Sequence, residues 1–260
     1  MFDLHNDFPT ALAASAHSEY IKSLGSGNYA TAVIWTSEFD REDAKRRLDE
    51  ITTALRGIGK FPIAIEDIGF LDGDYDKFPF EKYFYCSLTW NRNNRFAGGA
   101  MDDGRLTSDG REVISSMNGK CALDLAHLNK KSFFDALDLA KDPICSHTAF
   151  GTHRRCLDNE QIRALVERNA PIGLCAVKSF TGAETAYELA VVIDRFVQRY
   201  GIDLLCLGTD FYGSDDLPYD FKSYSNMFNL EKALFDLGYS SDNILKIFHE
   251  NAYKFYTEHR

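Results

Sequence analysis

The chain opens with Met1-Phe2-Asp3-Leu4-His5-Asn6-Asp7-Phe8-Pro9. Read as a short strand ending at Pro9, it puts Asp3, His5 and Asp7 on one face and Leu4 and Asn6 on the other. An imidazole and a carboxylate two residues apart at a strand end can hold one divalent metal between them. Other chemically capable residues close apolar runs further along. Glu66 ends Ile63-Ala64-Ile65-Glu66, His127 ends Asp124-Leu125-Ala126-His127, and His147 ends Ile144-Cys145-Ser146-His147. Asp210 ends Leu207-Gly208-Thr209-Asp210, and Trp90 ends the run from Tyr83. Each alone has an ordinary explanation: a lone strand-end histidine is more often a hydrogen-bonded surface or core residue than a ligand. Together, three of the seven histidines and three carboxylates terminate five apolar runs. His17, His153, His249 and His259 fall in helical or loop patterns and read as ordinary.

The chemistry that fits this set is a two-metal hydrolase centre. One metal takes His5 and Asp7, the other His127 and His147. Glu66 is the natural bridge, because a carboxylate can join two cations about 3.5–4 Å apart. Imidazole and carboxylate ligands suit Zn²⁺, with Mn²⁺, Co²⁺ or Fe²⁺ as alternatives. Such a pair acidifies water and polarises a carbonyl, and Asp210 is placed to accept the proton and pass it to a leaving amine.

These residues need elements that bring their ends together. Eight short apolar runs supply candidates: Phe2–Asp7, Ala32–Trp35, Pro62–Glu66, Tyr83–Trp90, Cys121–His127, Pro143–His147, Pro171–Val177 and Leu204–Asp210. Several are continuously apolar, as strands covered on both sides should be. Amphipathic stretches separate them. Asp40 caps a helix carrying Ala44, Leu48, Ile51 and Leu55; Ser108 caps another; Phe133, Phe134 and Leu137 mark a third. Asp158 and Gln161 form a capping box, 183–200 is the longest helix, and 226–237 and 241–256 are split by Gly238. The alternation predicts a single (β/α)₈ TIM barrel spanning 1–260, with active residues at the strands' C-terminal ends. The linker 67–82 has room for only a short helix, and the one around 10–24 is weakly patterned. A doubly wound open sheet needs a glycine-rich phosphate loop after the first strand, and Asn6-Asp7-Phe8-Pro9 is not one.

The totals agree. A chain of 260 residues, 45% hydrophobic, supports one sizeable core. A formal charge of −10 disfavours nucleic acid and anionic membranes as partners. No apolar run approaches the roughly 18 residues of a membrane span, and no basic-then-apolar leader precedes the first strand. Cys86, Cys121, Cys145, Cys156, Cys175 and Cys206 are scattered without a C-x-x-C pair, which reads as reduced thiols in a cytoplasmic protein.

At these residues the chain resembles the membrane dipeptidase (renal dipeptidase) family of zinc peptidases, among the amidohydrolase-like barrels. The resemblance runs from Asp3-Leu4-His5-Asn6-Asp7-Phe8-Pro9 through Ile65-Glu66, Leu88-Thr89-Trp90-Asn91, Leu106-Thr107 and Gly110-Arg111-Glu112-Val113. It continues through Leu123-Asp124-Leu125-Ala126-His127, Ser146-His147, Arg154-Arg155, Gly208-Thr209-Asp210-Phe211 and Gly213. It implies His5, Asp7, Glu66, His127 and His147 as metal ligands with Glu66 bridging, Asp210 as catalytic acid/base, and two metals, favouring Zn²⁺. It implies that Arg155 pairs with the free carboxylate of a small dipeptide, which a guanidinium fork does in bidentate fashion. Without it, Arg154 and Arg155 read as a solvated basic pair. Family members accept D-residues at that end and are often dimers.

The departures are specific. Trp90 stands where the family usually has a histidine near the substrate carbonyl; an indole offers one N–H donor and a large ring. Tyr212 replaces a common second aspartate, Cys156 a common asparagine, and the chain is short before strand three and between strands three and four. The alternatives are an N-acyl-amino-acid or other amide hydrolase on the same metals, or a metal-binding homologue with weak catalysis because of Trp90.

Overall fold

Eight parallel strands close into a barrel in chain order, each paired with the next and the last with the first. The computed structural model describes residues 1–25 and 27–259. The strands are β1 (Phe2–Asn6), β2 (Tyr29–Trp35), β3 (Ile63–Glu66), β4 (Tyr85–Ser87), β5 (Ala122–Asp124), β6 (Pro143–Thr148), β7 (Ile172–Leu174) and β8 (Leu205–Leu207). Almost every strand residue is buried. A sheet with helices outside and its own side chains inside requires that, and the architecture is the (β/α)₈ barrel.

Most strands are shorter than the apolar runs, and this corrects where the polar residues sit. Glu66 does end β3, and His147 lies one residue inside the end of β6. Trp90, His127 and Asp210 do not end strands: each sits three residues beyond β4, β5 and β8. His127 (φ 66°) and Asp210 (φ 61°) adopt left-handed backbone, which breaks the ladder and turns the chain across the rim. Asp7 also lies past β1, at φ −91° and ψ 11°. Strand alternation therefore does not place it beside His5; the turn does.

Local chemistry sets the helices. Phe8–Ala11 (α1) and His17–Leu24 (α2) together form the weakly patterned first connection. In α3 (Arg41–Arg56) the Asp40 carboxylate accepts from Asp43 N–H at 2.9 Å. In α4 (Ser108–Met117) the cap is Thr107, which accepts from Gly110 N–H at 3.0 Å; Ser108 is already helical. Asn129 caps α5 (Lys130–Leu137), and both arms of the Asp158–Gln161 capping box are present on α6 (Asn159–Glu167). Lys178–Thr181 (α7) precedes α8 (Ala186–Tyr200), which starts late because Thr185 caps it; at 15 residues it is one shorter than α3. After α9 (Met227–Asp236), the expected last helix is interrupted. A π turn at Lys246–Glu250 separates α10 (Ser241–Leu245) from α11 (Asn251–Glu258). The link between β3 and β4 holds only the 3₁₀ turns Tyr75–Lys77 and Phe80–Lys82.

Helix α11 closes the N-terminal mouth. Its Tyr256 ring lies 5.4 Å from Phe2 and 5.0 Å from Phe84, and Asn251 Nδ2 donates to the carbonyls of Ile202 and Leu205 at the foot of β8. Truncating a buried aromatic such as Phe2 costs about 3–5 kcal/mol. With that end plugged, the opposite rim is where the polar residues gather. All six cysteines are free, and five are buried.

Candidate metal centre

Three imidazoles converge on one carboxylate oxygen at the C-terminal rim. Glu66 Oε1 lies 2.8 Å from His127 Nε2, 3.5 Å from His147 Nε2 and 3.9 Å from His5 Nε2. His5 Nε2 is also 3.3 Å from Asp7 Oδ2, and the Nε2 atoms of His127 and His147 are 2.8 Å apart. The sequence-expected residues thus fall into two groups whose ligand atoms lie within 4.8 Å of one another: Glu66, His127 and His147, and His5, Asp7 and Asp210.

The donor set fits a cation. His5 Nε2 and Glu66 Oε1 are fully buried and make no hydrogen bond. Unsatisfied buried polar atoms cost about 1–3 kcal/mol each, and a divalent ion satisfies imidazole and carboxylate lone pairs together. His127 Nδ1 meets Asn91 Oδ1 at 3.0 Å; an amide oxygen only accepts, so the proton sits on Nδ1 and leaves Nε2 free to ligate.

Proton affinities reflect the crowding. Burial, then the Arg155 charge, pulls His127 down to about 4, and burial with the neighbouring His5 and His127 holds His147 well below its ordinary value. Burial also opposes charge on His5, but Asp7, Glu66 and Asp210 outweigh it and push His5 up to about 10. Glu66 is held down to about 2: burial works the other way, and His127, His5 and Arg155 overcome it. Burial and the charge of Asp7 raise Asp210 well above the carboxylate range. Gly213 completes the Asp7–Asp210 pair, since a Cβ there would strike Oδ1 of Asp210 and come within 2.5 Å of Oδ2 of Asp7.

The arginine pair is split by the fold. Arg154 is exposed and donates to the Met101 carbonyl at 2.9 Å. Arg155 is only 5% exposed; its Nη2 is 3.0 Å from His147 Nε2, and its guanidinium lies over Phe180. His153, expected to be ordinary, accepts from Arg155 N–H at 3.1 Å and stacks on Phe180, so it holds this loop.

Above the ligand cluster opens a cavity of about 350 Å³, walled by Trp35, Trp90, Met101, Val177, Phe180 and Tyr212. The Trp90 ring lies 6.1 Å from His127 and packs edge-to-face on Trp35 at 5.6 Å, while its backbone N–H donates to Asp67 Oδ2. Sequence reasoning missed Trp35, and it gave no role to Asn91, Asp124 or Ser146, which back the histidines. The readable signal was a carboxylate inside an apolar run, Ala122-Leu123-Asp124-Leu125-Ala126. Among the described residues no helix is long and apolar enough to cross a membrane.

Comparison with known proteins extends these observations. The sequence profile of the membrane dipeptidase family (peptidase family M19) matches residues 82–259, so His5, Asp7 and Glu66 lie ahead of the matched stretch. The chain is 26% identical over 181 residues to dipeptidase tcpJ of Claviceps purpurea, covering 65% of this chain and 43% of that protein. It is 29% identical over 145 residues to an uncharacterised protein in the pqqA 5′ region of Klebsiella pneumoniae, covering 48% and 53%. The chain thus spans about half the length of these curated relatives. Among solved structures, a Rhodobacter sphaeroides metallopeptidase liganded with a phosphinate mimic of the dipeptide L-Ala-D-Ala superposes with a TM-score of 0.83 at 18% identity, covering 100% and 99% of the two chains. A Pseudomonas aeruginosa amidohydrolase superposes with a TM-score of 0.85 at 16% identity, covering 98% and 94%. These superpositions share the barrel and take in β1 to β3, which the profile leaves out. With more than half of its length matched by that profile, the chain belongs to the membrane dipeptidase family, peptidase family M19.

Proposed function

We propose that the chain is a binuclear metal-dependent dipeptidase that hydrolyses a small dipeptide with a free C-terminal carboxylate, and that 1–260 is one metallohydrolase domain. The observation that carries this reading is the position of Arg155. Among the described residues this buried guanidinium pairs with no carboxylate, yet it borders the cavity that holds the ligand cluster. Glu66 balances its charge only at a distance, and a buried guanidinium with no carboxylate in contact is costly, so a carboxylate-bearing substrate supplies the direct partner.

His5 and Asp7 would hold one cation and His127 and His147 the other, with Glu66 between them; Zn²⁺ suits these ligands. When bound, the metals polarise the scissile carbonyl and make water acidic enough to act near neutrality. The chain's own groups do the rest. Arg155 Nη2 donates to His147 Nε2 at 3.0 Å; were that lone pair given to a metal, the guanidinium would be left to the substrate carboxylate. Asp210, in the left-handed region at φ 61° and with a carboxylate oxygen within 4.8 Å of the His5 and Asp7 ligand atoms, can carry a proton from water to the leaving amine. Trp90 and Trp35 wall the pocket, with Trp90 where an oxyanion donor is expected. The Rhodobacter sphaeroides structure was solved with an L-Ala-D-Ala mimic, which supports a D-residue at the C-terminal position. Six free thiols favour a reducing, cytoplasmic setting.

The test is Glu66→Gln, which keeps the shape and removes the bridging charge. Metal content and hydrolysis of a dipeptide panel, D- and L-residues included, should both fall to background. Full activity of the metal-stripped protein would defeat the proposal.

A further inference from the structure

His5 and His147 belong to opposite halves of the centre, yet one hydroxyl holds both. Ser146 Oγ lies 3.1 Å from His5 Nδ1, 2.9 Å from His147 Nδ1 and 2.6 Å from Asp124 Oδ2. Counting protons fixes every direction. The Asp124 carboxylate accepts only, so the single Ser146 proton goes to it. Its Oδ1 is fixed by the backbone N–H groups of Ser146 (2.9 Å) and Ala126 (3.0 Å), which keeps Oδ2 turned to the hydroxyl. The Ser146 lone pairs then accept from both imidazoles. Tyr85 OH, 3.0 Å from His5 Nδ1, donates to the Leu4 carbonyl at 2.9 Å and so also accepts from His5. Both histidines therefore carry a proton on Nδ1 and turn Nε2 toward Glu66.

We infer that Asp124 and Ser146 form a positioning relay that sets His5 and His147 together as Nε2 ligands, and so ties the affinity of one metal position to that of the other. The inference rests on the two-metal reading above. His5, Asp124 and His147 also offer ligand atoms within 4.8 Å of one another, but Ser146 Oγ touches all three, so this is a hydrogen-bonded hub and not a third cation site. The hub is tightly seated: a Cβ on Gly173 or on Gly208 would collide with the Ser146 carbonyl oxygen.

The test is Zn²⁺ titration of the metal-free full chain against a chelating indicator. Ser146→Ala should weaken both binding steps together by about 10–100-fold, the usual cost of losing a partner behind a ligating histidine. Tyr85→Phe should change them far less, because Ser146 still accepts from His5. Asp124→Asn keeps an oxygen for the two backbone N–H groups but offers an amide donor to Ser146, so the hydroxyl proton turns toward an imidazole. Side-chain ¹H–¹⁵N spectra should then show His147 changing from the Nδ1–H to the Nε2–H form, a signature that a purely structural role leaves unmoved. If Ser146→Ala does not fold, Asp124→Asn carries the test. A folded Ser146→Ala protein with wild-type affinities, weakening of one step only, or an unchanged His147 tautomer in Asp124→Asn each overturns the relay. Absence of metal binding by the wild type defeats the dipeptidase reading instead, and the tautomer result then judges the relay.

Discussion

The Nε2 atoms of His127 and His147 face each other at 2.8 Å, both on imidazoles that burial keeps from taking a proton. Two lone pairs at that distance repel, and the Arg155 guanidinium, 3.0 Å from His147 Nε2, meets only one of them. Metal removal should therefore destabilise the whole fold, since these histidines come from β6 and from the loop after β5. At free metal about 100-fold above Kd, binding contributes about 2.7 kcal/mol, which for a chain of this size is about 5–10 °C in Tm. Calorimetry with a chelator, then with Zn²⁺ restored, should show the loss and its recovery. Identical melting in both states would remove the cluster's claim to a cation.

Gly213 makes a separate demand. Its missing side chain is what lets Asp7 and Asp210 meet, so Gly213→Ala must push one carboxylate aside. The expected result is loss of the His5–Asp7 metal position and at least about a hundredfold lower kcat, the scale on which small misplacements act in catalysis. The other metal should be retained. Metal stoichiometry reads this directly: two equivalents bound by Gly213→Ala contradict it.

How much of this the sequence could say depends on what each residue needed. The barrel was legible because eight apolar runs alternate with capped amphipathic helices, and Asp158 and Gln161 announce a helix start by themselves. His5, Glu66 and His147 were legible because they lie in or at the ends of apolar strands. His127 and Asp210 were found for a partly mistaken reason: their apolar approaches read as strand, but a left-handed residue ends each approach and no composition signal marks that turn. Trp35 and Ser146 were given no role, because an indole or a hydroxyl in a strand acquires one only from what the neighbouring strand brings opposite it. Ser108 was mistaken for a cap because Thr107, next to it, has the same chemistry.

Trp90 stands on the cavity wall with its ring 6.1 Å from His127 and no second polar atom to offer. If it fills space where the family has a hydrogen-bond donor, Trp90→His should raise kcat on small dipeptides by about 10–10²-fold, toward the worth of one oxyanion donor. The smaller ring also removes the edge contact with Trp35, so KM should rise for dipeptides with large apolar side chains. Steady-state kinetics on Gly- and Phe-containing substrates separate the two effects. A fall in kcat would mean the indole N–H already serves the carbonyl.

Arg155 sets the last expectation, because its fork and its burial do different work. Arg155→Lys keeps the charge but loses the planar pair of donors, and the shorter head cannot reach a carboxylate in two places. KM for free dipeptides should rise about 10–100-fold, the equivalent of one charge-assisted hydrogen bond, while kcat falls less because the metal ligands are untouched. C-terminally amidated dipeptides provide the discriminating comparison. The wild type should prefer the free acid strongly, and Arg155→Lys should lose most of that preference. Equal discrimination in both proteins would place the carboxylate elsewhere and leave Arg155 as a structural cation stacked on Phe180.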